Sequence, residues 1–329
     1  MADREEEQQQ QRLPVVLQLR PVFAIAPAED RFLQKFRFLK AWESSMPKDL
    51  FLTTHAQSVR ALLCSGGTPV TADDLRCLPS LRCILTTSAG LNHIDLVECR
   101  RRGIAIANSG DCFSEDASDY AIGLLLDVLR RISAADRYVR QGLWPTKGDY
   151  PLGSKLGGKR VGIVGLGHIG TEVAKRLVAF GCSISYHSRK NKPSVAFPYY
   201  SDVRDLAANS DVLIICCALT KETHHIINRD VLLELGEKGV IINVGRGALI
   251  DEKELIQCLV QGEIGGAGLD VFENEPDVPK ELHALDNVVL SPHRAVFTRE
   301  SNSSLHDLLI ANLEAFFSNK PLVSEVKEE

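Results

Sequence analysis

The sequence predicts an α/β protein with two doubly wound, parallel-sheet domains. Short apolar runs alternate with helical stretches along the chain, as is typical of parallel sheets covered by helices. Several runs are apolar without a period of two, as expected of strands buried on both faces. The 329 residues are enough for two domains. The predicted strands are Val15–Leu19, Val59–Ser65, Leu81–Thr87, Ile104–Ala107, Val161–Gly165, Ser183–His187, Val212–Ala218, Val240–Val244, Ala267–Val271 and Val288–Ser291.

The predicted strands fall into two sets, and the gap between them defines the expected domain boundaries. The first set ends near Asn108 and the second begins at Val161. We therefore predict one domain over residues 1–108 and a second over 109–296. A last helix, over about Glu300–Ser318 within residues 297–329, is expected to return to the first domain.

A long helix is predicted between the two sets, from Ser114 to about Arg140. Ser114, followed by acidic residues, is a suitable N-cap. Residues Tyr120–Leu126 make this helix apolar nearly all round, so more than one neighbour must cover it. A subunit interface and an internal core are both open at this point.

The composition excludes several classes of partner. The net charge is −5, with 44% hydrophobic and 25% charged residues, so the chain has no global basic field to attract nucleic acid or anionic lipid. Its apolar runs are too short to span a bilayer. Met1–Arg12 lacks the apolar stretch of a secretory signal and is typical of a solvated tail, and Val326–Glu329 is not a lipidation or peroxisomal signal. We expect a soluble, cytoplasmic protein.

The nine cysteines have no spacing typical of a metal site or a disulfide framework. No C-x-x-C pair occurs, and the adjacent Cys216 and Cys217 lie in an apolar run, where small core residues are expected. We predict reduced thiols, as in the cytosol, and no bound metal.

A glycine-rich turn predicts a dinucleotide site. The strand at Val161 runs into Gly165-Leu166-Gly167-His168-Ile169-Gly170, and a helix follows to about Phe180. In this G-x-G-x-x-G pattern Gly165 permits the turn, Gly167 lets the backbone approach a pyrophosphate, and Gly170 lets the helix pack on the strand. The phosphates would meet free N–H groups at the positive end of the helix.

The end of the next strand favours NADPH over NADH. An NAD site carries an acidic residue about 20 positions after the glycines, where it binds the ribose 2′-hydroxyl. Here Ser188-Arg189-Lys190 follow the strand, and no acidic residue occurs between Glu172 and Asp202. Arg189 can bind a 2′-phosphate and Ser188 adds a hydroxyl, although a solvated loop would look the same.

Three later strands end in residues of catalytic type. Arg246 follows Val240–Val244, Glu275 follows Ala267–Val271, and His293 follows Val288–Ser291. Ligands of open parallel sheets bind beyond the carboxyl ends of the strands, so these three side chains can face one site. Reduction of a 2-keto acid needs a cation for the carboxylate and carbonyl, a proton donor and a carboxylate that orients the donor. Arg246, His293 and Glu275 match these roles in turn, whereas each alone could be a surface or turn residue.

The assembled motifs resemble those of the D-isomer-specific 2-hydroxyacid dehydrogenase family, and in particular its plant hydroxypyruvate, glyoxylate and hydroxyphenylpyruvate reductases. The resemblance runs from about Val15 to Val323. The matching segments are Ser88–Asp95, Gly165–Gly170, Asn243–Gly247, Gly266–Pro276 and Ser291–His293.

The resemblance implies a fold and a set of site residues. It implies a flavodoxin-like substrate domain and a Rossmann NAD(P)-binding domain with a cleft between them, and a homodimer with the helix near Tyr120 at the interface. Arg246 would bind substrate, Glu275 would orient His293, and His293 would be the acid/base. The backbone N–H groups of Ala89 and Gly90 would hold the substrate carboxylate, and Arg246 and His293 would also contact the substrate. The resemblance adds Asp270, which would contact the nicotinamide carboxamide, and Val244 and Gly245, which would line its pocket. The cofactor residues that the motifs themselves predict are Leu166, Gly167, His168, Ile169, Gly170, Ser188, Arg189 and Lys190.

One residue departs from the family pattern. Arg294 follows His293, where many relatives carry a small or apolar residue. It would add a second contact to the substrate carboxylate or disfavour the imidazolium by charge repulsion. The departure bears on the substrate and the rate, and leaves the reaction class unchanged.

The sequence thus predicts NADPH-dependent reduction of hydroxypyruvate or glyoxylate to the D-2-hydroxy acid, with NADH as a possible second cofactor. Hydroxyphenylpyruvate is the alternative substrate. A dinucleotide-sensing binding protein is the alternative from another class. The complete set of Arg246, Glu275 and His293 argues against a sensor, because a sensor needs no proton donor.

Overall fold

The computed structural model describes residues 12–327. The predicted tail at Met1–Arg12 therefore lies outside the described residues except for Arg12, as do Glu328 and Glu329. Two compact units are present. One consists of the residues up to Phe113 and those from Thr298 onward, and the other is Ser114–Phe297.

The described chain contains parallel strands connected by helices. The strands are β1 (Val15–Gln18), β2 (Arg37–Lys40), β3 (Ala61–Cys64), β4 (Cys83–Thr86), β5 (Ala105–Ala107), β6 (Arg160–Val164), β7 (Ser183–His187), β8 (Tyr199–Tyr200), β9 (Val212–Ile215), β10 (Val240–Asn243), β11 (Gly266–Leu269) and β12 (Val288–Leu290). The helices are α1 (Glu29–Leu33), α2 (Lys48–His55), α3 (Ala72–Arg76), α4 (Leu96–Arg101), α5 (Ser114–Arg130), α6 (Ile132–Arg140), α7 (Trp144–Lys147), α8 (His168–Ala179), α9 (Val203–Ala208), α10 (Arg229–Leu235), α11 (Glu252–Gln261) and α12 (Arg299–Phe317). Short 3₁₀ turns lie at Phe23–Ala28, Ala41–Glu43, Gly247–Leu249 and Lys280–Ala284.

The first unit is built on a five-stranded parallel sheet in the order β2-β1-β3-β4-β5. This is the flavodoxin-like order. Its strands β3 and β4 are fully buried and their apolar side chains form the core with α2 and α3. The C-terminal helix α12 packs on β4 and on the 3₁₀ turn at Phe23–Ala28, so the end of the chain belongs to this unit.

The second unit is built on a seven-stranded parallel sheet in the order β12-β11-β10-β9-β6-β7-β8. From β6 the chain builds outward in one direction through β7 and β8, and then returns to add β9 to β12 on the other side of β6. The strand order therefore reverses between β6 and β9, the point at which open α/β sheets bind ligands. The prediction of two parallel-sheet α/β units is confirmed.

The long helix predicted over Ser114–Arg140 is wrong, because the chain forms two helices there. Arg131 adopts φ 56° and ψ 39°, a left-handed conformation that ends α5 before α6 begins. The N–H and hydroxyl of Ser133 both bond the Asp127 carboxylate, which holds the break in place. The sequence analysis did not recognise Ser133 and Asp127 as residues that would end a helix.

The apolar surface of α5 is covered inside its own unit. The helix packs on α8 and on strands β10, β11 and β12. Ala121, Leu124 and Leu125 are buried in one core cluster with the strands, and Tyr120 and Leu126 pack against that cluster. An internal core therefore explains the apolar pattern of this helix.

Two strands were not predicted. β2 is an edge strand whose sequence, Arg-Phe-Leu-Lys, carries charges at both ends. β8 has only two residues and forms one edge of the seven-stranded sheet, next to β7. Short edge strands are exposed on one side, so they lack the apolar runs that identified the central strands.

Candidate active site

The turn after β6 has the geometry that the glycine pattern predicts. Gly165 has φ +99°, and a Cβ there would lie 2.5 Å from the backbone nitrogen of Cys217, at the end of β9. A side chain at this position would therefore strain the backbone and push β9 away. A Cβ on Gly170 would lie 2.2 Å from the Gly165 carbonyl oxygen, so α8 packs directly on the turn.

The N-terminus of α8 is suited to bind an anion. Gly167 is its N-cap, and no side chain in residues 12–327 caps the helix. A Cβ on Gly167 would meet no atom within 4 Å, so space lies in front of the first-turn N–H groups. The uncapped donors and the positive end of a twelve-residue helix fit the pyrophosphate of a dinucleotide. When bound, such a cofactor supplies or accepts a hydride.

A buried tyrosine holds the loop after β7 through hydrogen bonds of its hydroxyl. Tyr186 is fully buried, and its hydroxyl donates to the Asn191 side chain at 2.9 Å and accepts from the Lys192 N–H at 2.9 Å. Ser188 Oγ donates to the Lys190 carbonyl at 2.6 Å, which closes the loop. Arg189 and Lys190 are exposed on it. The loop therefore presents cations and no carboxylate at the end of β7.

Arg246 is positioned by the residues around it at the end of β10. Asn243 is buried, and its side chain accepts from the Gly245 N–H at 3.0 Å and donates to the Arg246 carbonyl at 2.9 Å. The Arg246 guanidinium donates to the Gly245 carbonyl at 2.7 Å. A Cβ on Gly247 would lie 1.9 Å from the Phe272 carbonyl carbon, so only glycine lets the next turn approach. Burial lowers the pKa of Arg246, and the charge of Glu275 opposes that shift.

Glu275 and His293 form a direct pair. The distance from Glu275 Oε2 to His293 Nδ1 is 2.7 Å, and Glu275 Oε1 accepts from the Phe272 N–H at 3.1 Å. Burial raises the pKa of Glu275, but the hydrogen bond and charge of His293, the Phe272 N–H and the charge of Arg246 together hold that pKa below its ordinary value. The carboxylate is therefore ionised at neutral pH and accepts a hydrogen bond from Nδ1–H, so Nε2 is the ring nitrogen that could exchange a proton with a ligand.

Asp270 fixes the loop that carries His293. Its side chain is only 1% exposed. Oδ1 accepts from the Ser291 hydroxyl at 2.6 Å and from the Arg294 N–H at 2.7 Å, and Oδ2 accepts from the Ala295 N–H at 2.9 Å. The Asp270 carbonyl also accepts from the His293 N–H at 2.8 Å. Asp270 thus holds the residues on both sides of His293, which has φ +52°.

Arg294 lies on the same loop and stacks on an aromatic ring. Its guanidinium carbon is 4.7 Å from the centroid of the Phe297 ring, and both side chains are exposed. This cation–π contact fixes the side chain that departs from the family pattern.

In the first unit, Ala89 and Gly90 follow β4 in a turn that offers backbone donors. The Ala89 carbonyl accepts from the Asn108 side chain at 2.9 Å, and the Ser88 N–H donates to Thr86 Oγ1 at 3.2 Å. Within residues 12–327, neither the Ala89 nor the Gly90 N–H donates a hydrogen bond. These two groups are available to an anion.

The structure adds positioning residues that sequence reasoning missed. Asn243 holds the Arg246 turn, and Ser291 joins Asp270 to Tyr120, whose hydroxyl lies 2.6 Å from Ser291 Oγ. His225 and Glu273 form a second imidazole–carboxylate pair, and Glu273 lies two residues before Glu275 in the chain. Asn at the end of a strand is a turn signal that pointed to Asn243. The others depend on contacts between distant residues.

These features together define a class of protein: a nicotinamide-dinucleotide oxidoreductase with an arginine and a carboxylate-paired histidine beside the dinucleotide fold. The comparisons with known proteins identify the family. Residues 122–295 match the model of the D-isomer specific 2-hydroxyacid dehydrogenase NAD binding domain. The chain belongs to the D-isomer-specific 2-hydroxyacid dehydrogenase family.

Individual relatives are similar over nearly the whole chain. A glyoxylate/hydroxypyruvate reductase from Arabidopsis thaliana is 57% identical over 317 residues, covering 95% of this chain and 97% of the relative. A hydroxyphenylpyruvate reductase from Plectranthus scutellarioides is 47% identical over 298 residues, covering 91% and 95%. The crystal structure of an NADPH-dependent glyoxylate/hydroxypyruvate reductase from Sinorhizobium meliloti, in complex with NADP and malonate, is 36% identical, with a TM-score of 0.87 and coverage of 95% and 96%.

Proposed function

We propose that this protein reduces a small 2-keto acid, hydroxypyruvate or glyoxylate, to the D-2-hydroxy acid with NADPH. The observation that carries the proposal is the 2.7 Å pair of Glu275 and His293, with the charge of Arg246 acting on the same carboxylate. This arrangement supplies a proton donor, a group that orients it and a cation, which are the parts that keto reduction requires.

In the proposed reaction, Arg246 binds the substrate carboxylate and polarises the C2 carbonyl. C2 receives a hydride from the reduced nicotinamide, and the carbonyl oxygen receives the proton of His293 Nε2, so the product is the 2-hydroxy acid. Glu275 stabilises the imidazolium before transfer and keeps Nδ1 occupied, which directs Nε2 to the substrate. Oxidation of the hydroxy acid runs through the same groups in reverse, with neutral His293 as the base.

We propose that the dinucleotide lies against Leu166, Gly167, His168, Ile169 and Gly170. The uncapped N-terminus of α8 supports this position for the pyrophosphate. Ser188, Arg189 and Lys190 would bind the 2′-phosphate, and the absence of an acidic residue at this place in the described chain supports NADPH over NADH. Val244 and Gly245 would line the nicotinamide pocket.

Asp270 is proposed to contact the nicotinamide carboxamide in addition to holding the His293 loop. Within residues 12–327, Oδ2 accepts one hydrogen bond, from the Ala295 N–H, and a carboxylate oxygen can accept two. The second acceptor site of Oδ2 would serve an amide N–H of the cofactor. We further propose that the N–H groups of Ala89 and Gly90 bind the substrate carboxylate, since neither donates a hydrogen bond within residues 12–327.

The relatives favour two substrate classes. The name of the 57% identical relative supports glyoxylate and hydroxypyruvate, and that of the 47% identical one supports hydroxyphenylpyruvate as the second candidate. Turnover of purified enzyme with NADPH and a panel of these three keto acids separates them by kcat/KM. No turnover with any of them would reject the proposal, and binding of NADPH without turnover would favour a sensor. A higher kcat/KM with NADH than with NADPH would reject the cofactor assignment.

We propose a homodimer. Since α5 is covered within its unit, the support comes from the stretch between α5 and β6, where Ile132, Val139, Trp144 and Leu152 are each more than half exposed. A second copy would cover such apolar side chains. Sedimentation at micromolar concentration is expected to show two chains per particle, and a monomer would reject the proposal.

The proposed compartment is the cytoplasm. All nine cysteines are free thiols in the structure, which supports a reducing environment. In residues 12–327 no helix has the length and apolar character to cross a membrane.

A further inference from the structure

A second imidazole–carboxylate pair lies beside the first. His225 Nε2 is 2.5 Å from Glu273 Oε1, and both side chains are partly buried. Glu273 and Glu275 belong to the same short turn after β11, so the second pair acts on the segment that carries the carboxylate partner of His293.

The backbone of His225 is tied to the turn that follows Arg246. Its N–H donates to the Ala248 carbonyl at 2.9 Å, and two residues later the Ile227 N–H donates to the Leu249 carbonyl at 3.0 Å. His225 has φ +52°, the same left-handed conformation as His293. A residue other than glycine holds this conformation only where the surrounding contacts impose it.

Glu273 is held on its other side by α11. Its N–H donates to Glu252 Oε2 at 3.2 Å, and its carboxylate accepts from the Glu252 N–H at 3.5 Å. The Phe272–Glu273 peptide also lies where a side chain on Gly247 would be. The segments that carry Arg246 and Glu275 therefore meet at Glu273, and His225 bonds both of them.

The charges around His225 favour this bond. Asp251 Oδ2 lies 3.6 Å from His225 Nδ1, and Glu273, the partner of Nε2, interacts in turn with Glu252. Burial, and then the charges of Glu273 and Glu275, raise the pKa of Glu252. A donor at His225 offsets the repulsion of these carboxylates within the turn. On its exposed side His225 stacks on His224, with ring centroids 3.9 Å apart.

We propose that His225 is a positioning residue for the reaction: by bonding Glu273 and the Ala248 carbonyl, it fixes Glu275 relative to Arg246 and so keeps Glu275 in reach of His293. The inference rests on the proposed function of Glu275 and His293. His225 itself needs no contact with substrate or cofactor.

The test is His225→Asn, with His224→Asn as its matched control. Asn accepts the left-handed backbone but its side chain is too short to replace the bond to Glu273. His224 is the stacked neighbour and has no bond to these carboxylates among the described contacts. We expect His225→Asn to lower kcat for keto reduction by about tenfold, less than the roughly hundredfold cost of a full ångström of misplacement. The dissociation constant of NADPH, measured by its fluorescence, is expected to stay unchanged.

The pH profile distinguishes positioning from a general loss of structure. The alkaline limb of kcat/KM is expected to move to lower pH in His225→Asn, as in Glu275→Gln, and to stay in place in His224→Asn. Adding His225→Asn to Glu275→Gln is expected to move the limb no further, because the first change acts through Glu275. His225→Gln, whose amide can still donate to Glu273, is expected to recover most of the activity.

Each result has one consequence. If the limb moves in Glu275→Gln but His225→Asn has the wild-type profile and kcat, the inference about His225 is wrong and the proposed function stands. If the limb does not move in Glu275→Gln, the proposed role of Glu275 fails first. Independent, multiplying losses in the double variant would also overturn the inference. A midpoint of thermal unfolding above the assay temperature in each variant confirms that folded enzymes are being compared.

Discussion

The sheet of the second unit has two halves, one on each side of the junction of β6 and β9. They differ in how their polar groups are held. On the β6–β7 side, α8 begins without a side-chain cap in the described chain, and the loop after β7 exposes Arg189 and Lys190. On the β10–β12 side, Glu275 bonds His293 and Asp270 accepts three hydrogen bonds.

The difference indicates which half needs a bound ligand to complete its hydrogen bonds. The uncapped N–H groups gain partners when an anionic group binds, as the proposed dinucleotide would, and the exposed cations can add charge-assisted bonds to such a group. The Glu275–His293 pair on the other side, with the buried Asp270 that holds its loop, is already oriented before anything binds, as catalytic groups need to be. Changes in the first half should therefore alter mainly the affinity for the dinucleotide, and changes at Glu275 and His293 in the second half should alter mainly the rate of the chemical step.

His293→Ala should have the largest effect, because it removes the proposed proton donor. General acid catalysis contributes roughly 10²- to 10⁴-fold, so kcat for keto reduction should fall by about that factor. The dissociation constant of NADPH should change little, since His293 is not among the proposed cofactor contacts. Steady-state kinetics and NADPH fluorescence measure the two quantities. A kcat within a few-fold of wild type would exclude His293 as the acid.

Much of this arrangement was predictable from the sequence, for reasons that are local. The glycine pattern at Gly165–Gly170 and the position of Arg246, Glu275 and His293 after apolar strands depend on residues that are near one another along the chain. Parallel strands end at one edge, so the sheet itself brings these residues together. The direct pair of Glu275 and His293, 18 residues apart, needed only this rule.

What the sequence did not predict depends on distant contacts or on edge positions. The break at Arg131 follows from the bond of Ser133 to Asp127, which competes with the helix. Tyr120 and Ser291 are 171 residues apart, and nothing in the pattern around either one indicates their contact. β2 and β8 lie at sheet edges, where burial imposes no apolar run.

Arg189→Asp should have the next largest effect, and it tests the ligand-binding half. Replacing the cation by a carboxylate repels a 2′-phosphate and offers an acceptor to a ribose 2′-hydroxyl. Loss of a charge-assisted bond of about 1.5–3 kcal/mol should lower kcat/KM for NADPH by roughly ten- to a hundredfold, while that for NADH should rise. Lys155→Asp, at an exposed position before β6, is the control for the change in net charge. An unaltered NADPH/NADH ratio would show that Arg189 lies in a solvated loop.

Glu275→Gln should have a smaller effect than His293→Ala on the rate and a distinct effect on its pH dependence. The amide keeps the shape but lacks the charge that favours the imidazolium, so the alkaline limb of reduction should move to lower pH. Superimposable profiles would mean that Glu275 does not tune His293.

The stability of the same variant should depend on pH in a defined direction. The pKa of Glu275 is lower in the folded protein than its ordinary value. The ionised carboxylate therefore stabilises the fold fully above the unfolded pKa of about 4.3, and this contribution is lost as the pH falls through the folded value. Urea unfolding should show wild type more stable than Glu275→Gln at pH 7, with the difference disappearing in acid. A constant difference would contradict the direction of the shift.

Ser291→Ala should have the smallest effect on the rate, and it tests how rigid the catalytic half is. The hydroxyl of Ser291 lies 2.6 Å from both Asp270 Oδ1 and the Tyr120 hydroxyl, so its loss leaves the buried Asp270 carboxylate and the half-buried Tyr120 hydroxyl with one partner fewer. Loss of one hydrogen bond to a charged group costs about 1.5–3 kcal/mol of unfolding free energy. The N–H groups of Arg294 and Ala295 still bond Asp270, so His293 should stay near its position and kcat should fall only a few-fold. Tyr120→Phe, which removes the outer hydroxyl and leaves the Ser291–Asp270 bond, is the matched control and should cost less stability. A loss of kcat in Ser291→Ala as large as that of His293→Ala would mean that this hydroxyl, rather than the backbone bonds to Asp270, holds the histidine in place.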